Sequence, residues 1–258
     1  LVKTTVGIAC WNSVGKIDVL LDSFYRHHAA EEYKVIIVDN GSRDGCQEMI
    51  RTRYPQVHLI ENHANLGVAK ARNKALNERE GRFTALLDDD LEFQDNALDI
   101  LAERMETMTD VAITAPKLVY PDGSLQLSCR TFQTLMPILL RGSPLGKFFP
   151  DSKIVRKHLM ADADHDREQF VDWTLGACHL IRNEHMDRIG CLDESYFYLY
   201  EDVDFCFRAK KLGYKVLYVP HTTVTHHYQR KSARSFNKMT TFHIRSILRY
   251  FWKHRNVF

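Results

Sequence analysis

Phe83-Thr84-Ala85-Leu86-Leu87 runs straight into Asp88-Asp89-Asp90. A short apolar run ending in polar residues reads as a strand buried on both faces, and such strands belong to parallel sheets covered by helices. The segments before it repeat the pattern. Val6–Ala9, Val35–Val38 and Val57–Ile60 are apolar runs, the second of them entering the turn residues Asp39-Asn40-Gly41-Ser42. Between them lie Ile17–Tyr25, Gln47–Arg53 and Val68–Asn77, and in the first of these Ile17, Leu20, Leu21 and Phe24 recur at helical spacing. Strands alternating with helices predict right-handed βαβ units in an α/β domain with a mostly parallel central sheet. Ligands of such sheets bind at the carboxyl ends of the strands. Asn12, Asp39 and Asp88–Asp90 all fall there.

Beyond the triple acid the pattern is less regular. Ala97–Met108 and Asp202–Leu212 read as helices, and Val111–Ala115 and Lys215–Val219 as strands. Asp172–Ile181 reads as one strand running through Gly176. Pro137, Gly142, Pro144, Gly146 and Pro150 mark residues 137–150 as loop, and the acidic stretch Ala161–Glu168 reads as another. Phe236–Trp252 predicts a helix with Ile244, Ile247, Leu248 and Phe251 on one face.

With 258 residues, 45% hydrophobic and 26% charged, the chain can bury one large α/β core. No apolar run is long enough to span a bilayer, and no leader is visible. Six cysteines form no CxxC pair, so their spacing predicts neither a zinc site nor a disulfide framework, and a cytoplasmic, reducing location follows. Twelve of the 35 Lys and Arg, and none of the 33 Asp and Glu, follow Asp204. So uniform a basic end predicts an anionic partner such as a diphosphate or a membrane surface.

Five groups of residues could carry chemistry. Three adjacent carboxylates at Asp88–Asp90 repel one another unless a cation neutralises them, and Mg2+ or Mn2+ with a substrate diphosphate would do so. Asp39 at a strand end can accept a hydrogen bond from a nucleobase, or simply hold a turn with Gly41. Asn65-Leu66-Gly67 opens a helix whose free N–H groups favour anions, with Lys70 and Arg72 nearby. Glu201-Asp202 follows the aromatic run Tyr196–Tyr200, which would wall a cleft and tune a carboxylate as a general base. His221, His226 and His227 follow a strand, where one of them could complete a metal shell.

In order and spacing, Asp39–Ser42, Asn65–Asn73, Leu86–Asp90, the Trp173–Gly176–Ala177 segment and Leu192–Tyr214 resemble glycosyltransferase family 2, and most of all its bacterial rhamnosyltransferase-like branch. The resemblance spans Val6 to about Lys253. It implies a GT-A fold: a nucleotide-sugar half over residues 1–92, an acceptor and catalytic half over 93–235, and a basic helical segment over 236–258. It also implies an inverting transfer, rhamnose being the expected sugar, from a dTDP- or UDP-sugar to a glycan or polyprenyl-diphosphate-linked acceptor, with no nucleic-acid partner. Asp202 would be the catalytic base. Asp39, Asn65, Gly67, Arg72, Asp88 and Asp89 would face the donor. Trp173, Gly176 and Glu201 would line the acceptor side. Asp90, Asp88 and His226 would hold the metal. The basic helix Phe236–Trp252 would pack on the core, or else lie on the inner face of the cytoplasmic membrane, where a lipid-linked acceptor sits. The branch often has Asn-Pro-Asp where this chain has Asp88-Asp89-Asp90, which is closer to galactofuranosyl enzymes of the family. A galactofuranosyl or other hexosyl transfer is therefore the alternative, followed by a non-catalytic sugar-nucleotide-binding module. A nucleotidyltransferase would need a glycine-rich segment where Val6–Lys16 has only Gly7 and Gly15.

Overall fold

β2 shows why these runs are apolar throughout: Val35 and Ile37 enter one core while Ile36 and Val38 enter another on the opposite face. The computed structural model describes residues 1–132, 134–142, 152–228 and 238–255. In chain order the elements are β1 (Thr4–Cys10), α1 (Val14–His27), β2 (Tyr33–Asp39), α2 (Cys46–Arg53), β3 (His58–Glu61), α3 (Val68–Asn77), β4 (Phe83–Leu87), β5 (Leu91–Phe93), α4 (Ala97–Glu106) and β6 (Val111–Val119). They continue with β7 (Cys129–Arg130), α5 (Leu135–Gly142), α6 (Lys153–His158), β8 (Gln169–Val171), β9 (Trp173–Thr174), β10 (Cys178–Arg182), α7 (Asn183–Ile189), α8 (Glu201–Lys211), β11 (Lys215–His226) and α9 (Lys238–Lys253).

The central sheet runs β3-β2-β1-β4-β10-β6-β11-β5, with β8 on β11. Its first four strands are parallel, and β10 joins them antiparallel to β4. The chain leaves β1 toward β2 and returns to β4 on β1's other side. A crevice therefore opens at the carboxyl ends of β1 and β4, the usual ligand position of such sheets. Side chains of α1, α2 and α4, including Phe24, Ile50 and Leu101, fill one core; α7, α8 and α9 contribute Met186, Phe205 and Tyr250 to another. No described helix is long and apolar enough to cross a membrane.

Three departures from the sequence reading matter for function. The strand expected over 172–181 breaks at Gly176: β9 pairs with β7 in a second, two-stranded sheet, while β10 enters the main one. The strand expected to stop at Val219 resumes after an irregularity between Val219 and Thr223, where Pro220 has no N–H for the ladder, and runs on to His226. The loop expected from residue 137 starts as helix α5 over Leu135–Gly142; Pro137 is tolerated in its first turn, where N–H groups lack intrahelical partners, and residues 143–150 lie outside the described residues.

α9 was expected to present Ile244, Ile247, Leu248 and Phe251 together. It splits them instead. Ile247 and Phe251 pack inward beside Tyr250, while Ile244, Leu248 (66% exposed) and Trp252 (61%) form an outward stripe. The inner face is fixed by an ion cluster around the fully buried Asp204. Asp204 on α8 accepts from Arg208 Nε at 2.8 Å and His254 Nε2 at 2.9 Å and pairs with Lys253 Nζ at 2.8 Å. Burial pushes the Asp204 pKa up, but these three cations outweigh it and hold the carboxyl below its ordinary value. Its stabilising contribution is therefore complete above the ordinary carboxylate range and fades as pH falls through the depressed value. Asp204→Ala strands these charges, and we expect a loss of about 3–5 kcal/mol. Thermal melting would show it as a drop on the order of 10 °C; an unchanged melting point would remove the brace from the account.

Candidate active site

The crevice is built by register. β10 runs antiparallel to β4 with Cys178 opposite Leu87, which sets Ala177 beside Asp88; the Asp88 N–H donates to the Ala177 carbonyl at 2.8 Å. β11 runs antiparallel to β5 with His226 opposite Leu91, which sets His226 beside Asp90. His226 Nε2 lies 3.1 Å from Asp90 Oδ1 and 3.7 Å from Asp88 Oδ2. Its Nδ1 lies 2.6 Å from the Gln126 side-chain oxygen, a contact that orients the ring with Nε2 toward the acids. Asp88, Asp90 and His226 bring ligand atoms within 4.8 Å of one another, so this trio could hold a metal. Two hard oxygens and one imidazole nitrogen suit a divalent ion of the Mg2+ or Mn2+ type, the nitrogen favouring Mn2+. Lys16 Nζ contacts Asp90 Oδ2 at 2.8 Å.

The three acids are not equivalent. Burial raises the Asp88 pKa against the pull of Arg72 and His226. Burial likewise raises Asp89, to about 6. For Asp90 burial also pushes upward, but His226 and Lys16 prevail and bring it to about 2. Asp90 is thus the most firmly ionised of the three and the strongest candidate ligand.

α8 starts with Glu201-Asp202, after Leu199 and Tyr200 both take left-handed backbone, at φ +61° and +77°. Two consecutive non-glycine residues in that region cost about 1–3 kcal/mol each and cluster at functional sites. The turn aims Asp202 at the break between β9 and β10. Its Oδ2 accepts the Gly176 N–H at 2.9 Å, and its Oδ1 accepts the Val203 N–H at 2.8 Å. Burial raises the Asp202 pKa, the two N–H groups and Arg72 opposing it. Burial and the neighbouring Asp202 likewise raise Glu201, to about 8. A Cβ at Gly176 would lie 2.8 Å from Asp202 Cβ, closer than real contacts allow. Gly176→Ala is therefore expected to displace the carboxylate and lower kcat about 100-fold with little change in donor KM; steady-state kinetics that leave kcat intact would refute this.

Arg72 joins the two acid groups. Its Nη2 contacts Asp88 Oδ1 at 2.5 Å and donates to the Gly176 carbonyl at 3.0 Å, while Nη1 lies 3.4 Å from Glu201 Oε1. Only 3% of its side chain is exposed. Arg72 was expected to face the donor, but burial makes it a strut beneath the crevice. Other expectations are corrected in the same way. Gly67 does not open a free anion cradle, because the Val68 N–H donates to the Phe197 carbonyl at 3.1 Å; the glycine is needed because its φ is +88° and a Cβ would lie 2.8 Å from that oxygen. Asn65 Oδ1 accepts the Gly67 N–H at 3.0 Å and serves the turn. Trp173 is buried with its indole N–H on the Thr131 carbonyl, so it supports the acceptor side from below. Glu201 is buried against Arg72 and does not line an open surface. Tyr196 and Tyr200 belong to the core, and Phe197 stacks on Phe242 of α9. His227 pairs with Glu92, and His221 lies by Glu168.

At the β2 end, the Asp39 carboxylate accepts from the N–H groups of Gly41 and Ser42 and from Gln47 Nε2 at 2.7 Å. The first two strand-end loops lock together, Asn12 N–H donating to Ser42 Oγ and Arg43 N–H to Asn12 Oδ1, both at 2.8 Å. Lys16, Gln47 and Gln126 were missed by sequence reasoning: a lone Lys or Gln carries no motif, and only the fold brings each to its acid or histidine. A hollow of about 580 Å³ lined by Thr131, Lys153 and Arg156 includes none of Asp88, Asp89, Asp90, Glu201 and Asp202.

The sequence profile described as Glycosyl transferase family 2 matches residues 5–155. The chain belongs to glycosyl transferase family 2. Among curated relatives of this family 2 chain is the N-acetylglucosaminyl-diphospho-decaprenol L-rhamnosyltransferase of Mycobacterium tuberculosis, 31% identical across 78% of this chain and 68% of the relative. Solved structures with the same fold include GalNAc-T7 with UDP, GalNAc and Mn2+ (TM-score 0.68, 15% identity, 96% of this chain and 48% of that one). Another is the mannosyltransferase PcManGT of Pyrobaculum calidifontis with GDP-Man and Mn2+ (TM-score 0.62, 17% identity, 98% and 64%). The family 2 chain thus spans about half to two thirds of these solved proteins. The GT-A expectation holds, and the family 2 chain is a glycosyltransferase.

Proposed function

We propose that the chain moves rhamnose from a dTDP- or UDP-linked donor to a hydroxyl of a polyprenyl-diphosphate-linked glycan, with inversion, in bacterial surface-polysaccharide synthesis. One observation carries the reading: Arg72 ties the Asp88–Asp90 cluster to the Glu201–Asp202 pair, so a leaving-group site and a base share one crevice. The Mycobacterium relative, by its name a rhamnosyltransferase for a decaprenyl-diphosphate acceptor, supports the choice of sugar and acceptor.

Residues 1–92 serve the donor, 93–235 the acceptor and the chemistry, and 236–258 the surface. Asp39, with Gln47 beside it, meets the nucleobase edge, and Asp89 meets the ribose. Asp202 removes the proton of the acceptor hydroxyl as that oxygen attacks the anomeric carbon from the face opposite the diphosphate. The bond to the diphosphate breaks, its electrons leave with the nucleoside diphosphate, and the proton rests on Asp202. Asp88, Asp90 and His226 would hold Mg2+ or Mn2+, which would supply positive charge against the leaving diphosphate. The Gly176 N–H, and the absence of a side chain at Gly176, keep Asp202 on line. Incubation with a panel of dTDP-, UDP- and GDP-sugars, with and without a polyprenyl-diphosphate-GlcNAc acceptor, tests the reading. Acceptor-dependent turnover should be fastest with a deoxyhexose donor; preference for UDP-galactofuranose would replace rhamnose with the alternative.

The outward stripe Ile244, Leu248 and Trp252, flanked by Arg245, Arg249 and Arg255, supports resting on an anionic bilayer where such an acceptor lies. Vesicles rich in anionic lipid should sediment the protein at low salt and release it as salt rises. No sedimentation at low salt would end the membrane reading.

A further inference from the structure

Cys10 closes β1 and Cys46 opens α2, thirty-six residues apart, yet their sulfurs meet at 3.6 Å. Cys10 Sγ also lies 3.6 Å from Asp39 Oδ1. All three residues are buried, and their ligand atoms lie within 4.8 Å of one another. Two sulfurs each about 2.3 Å from one tetrahedral ion stand about 3.8 Å apart, and a carboxylate oxygen in the third position stands about 3.6 Å from a sulfur. The two separations made by Cys10 are close to these, and the third lies within 4.8 Å. We propose that Cys10, Cys46 and Asp39 bind one thiophilic divalent cation, of the zinc or cadmium class, at a site separate from the Asp88–Asp90–His226 trio.

The two sites differ in chemistry. Thiolates select soft ions, whereas two carboxylates and an imidazole suit Mn2+ or Mg2+. The ion enters as the two thiols release their protons to solvent, leaving two thiolates and the Asp39 carboxylate around it. Each ligand comes from a different place in the nucleotide half: the end of β1, the end of β2 and the first residue of α2. Loading therefore draws the Asp39 carboxylate toward the sulfurs. Resting on the reading of Asp39 as the nucleobase contact, this predicts that a thiophilic ion inhibits by competing with the donor, while Mn2+ supports turnover. The sequence spacing predicted no such site, because only the βαβ crossover from β1 through β2 to α2 brings the two cysteines together.

Cadmium is the probe. The protein carrying Cys191→Ser, which removes the exposed thiol, is kept reduced and titrated with Cd2+, and the ultraviolet charge-transfer band of a cadmium thiolate is followed. A band saturating at one equivalent is expected, and Cys10→Ser or Cys46→Ser should weaken binding by more than about 100-fold. A second measurement needs no variant: Cd2+ should protect Cys10 and Cys46 from thiol labelling, read by peptide mass spectrometry. Absence of the band, a band surviving both substitutions, or labelling unaffected by Cd2+ overturns the site. Donor affinity is read in the same titration. A cysteine-dependent band with unchanged donor affinity leaves the site standing and removes Asp39 from the nucleobase.

Discussion

Asp202→Asn is expected to lower kcat by about 100- to 10,000-fold, the usual worth of a general base, while leaving donor affinity near its original value. The amide cannot take a proton from the acceptor hydroxyl, yet it fills the same space between the Gly176 and Val203 N–H groups. The pH profile supplies an independent check. Burial holds the Asp202 pKa above the ordinary carboxylate value, so turnover should fall as pH drops through that raised value, when the base takes up a proton. The acid limb should vanish in whatever activity Asp202→Asn retains. Near-normal turnover in the variant would show that another group takes the proton.

Asp90→Ala should remove support by Mn2+ together with tight donor binding. Asp90 is the acid that His226 and Lys16 keep ionised, at a pKa of about 2, whereas burial pushes Asp88 and Asp89 the other way. Its loss also leaves Lys16 and His226 facing the crevice without their shared anion. We expect Mn2+-supported kcat/KM to fall by on the order of 1,000-fold, since a metal's charge stabilisation is worth several kcal/mol. Calorimetric titration of donor with and without Mn2+ separates the effects: the parent should bind donor more tightly with the ion, and the variant should show one weak affinity in both. A variant that keeps its response to Mn2+ would move the ion away from these acids.

The sheet was legible because its strands are short, continuous apolar runs. β4 (Phe83–Leu87) and α3 (Val68–Asn77) fall on the bounds read from sequence, since an element buried on one stripe or on both faces writes its period into the chain. The acids were legible too, because carboxylates at strand ends have little other reason to be adjacent. The means by which they are held were not. Arg72 read as a donor contact from the family resemblance and from its positive charge near a helix start; its burial depends on β10 lying antiparallel to β4, a pairing of residues more than ninety apart. Trp173 and Gly176 read as one strand because nothing local marks the switch of sheets between them. His226 read as lying beyond a strand rather than within one because Pro220 hides the continuation of β11. On α9, helical spacing found an apolar stripe but could not say that the core would take only half of it.

The ionic knot at Asp204 ties α9 to the helix that carries Asp202, the proposed base. Asp204 sits two positions after the base on the same helix, and the cations that grip it include Lys253 and His254, nearly fifty residues later. Any tug on the outer stripe of α9 is therefore transmitted to the first turn of α8 through a few rigid ångströms of packed side chain. A surface that seated the outer stripe of α9 would, on the proposed function, also steady the Asp202 carboxylate.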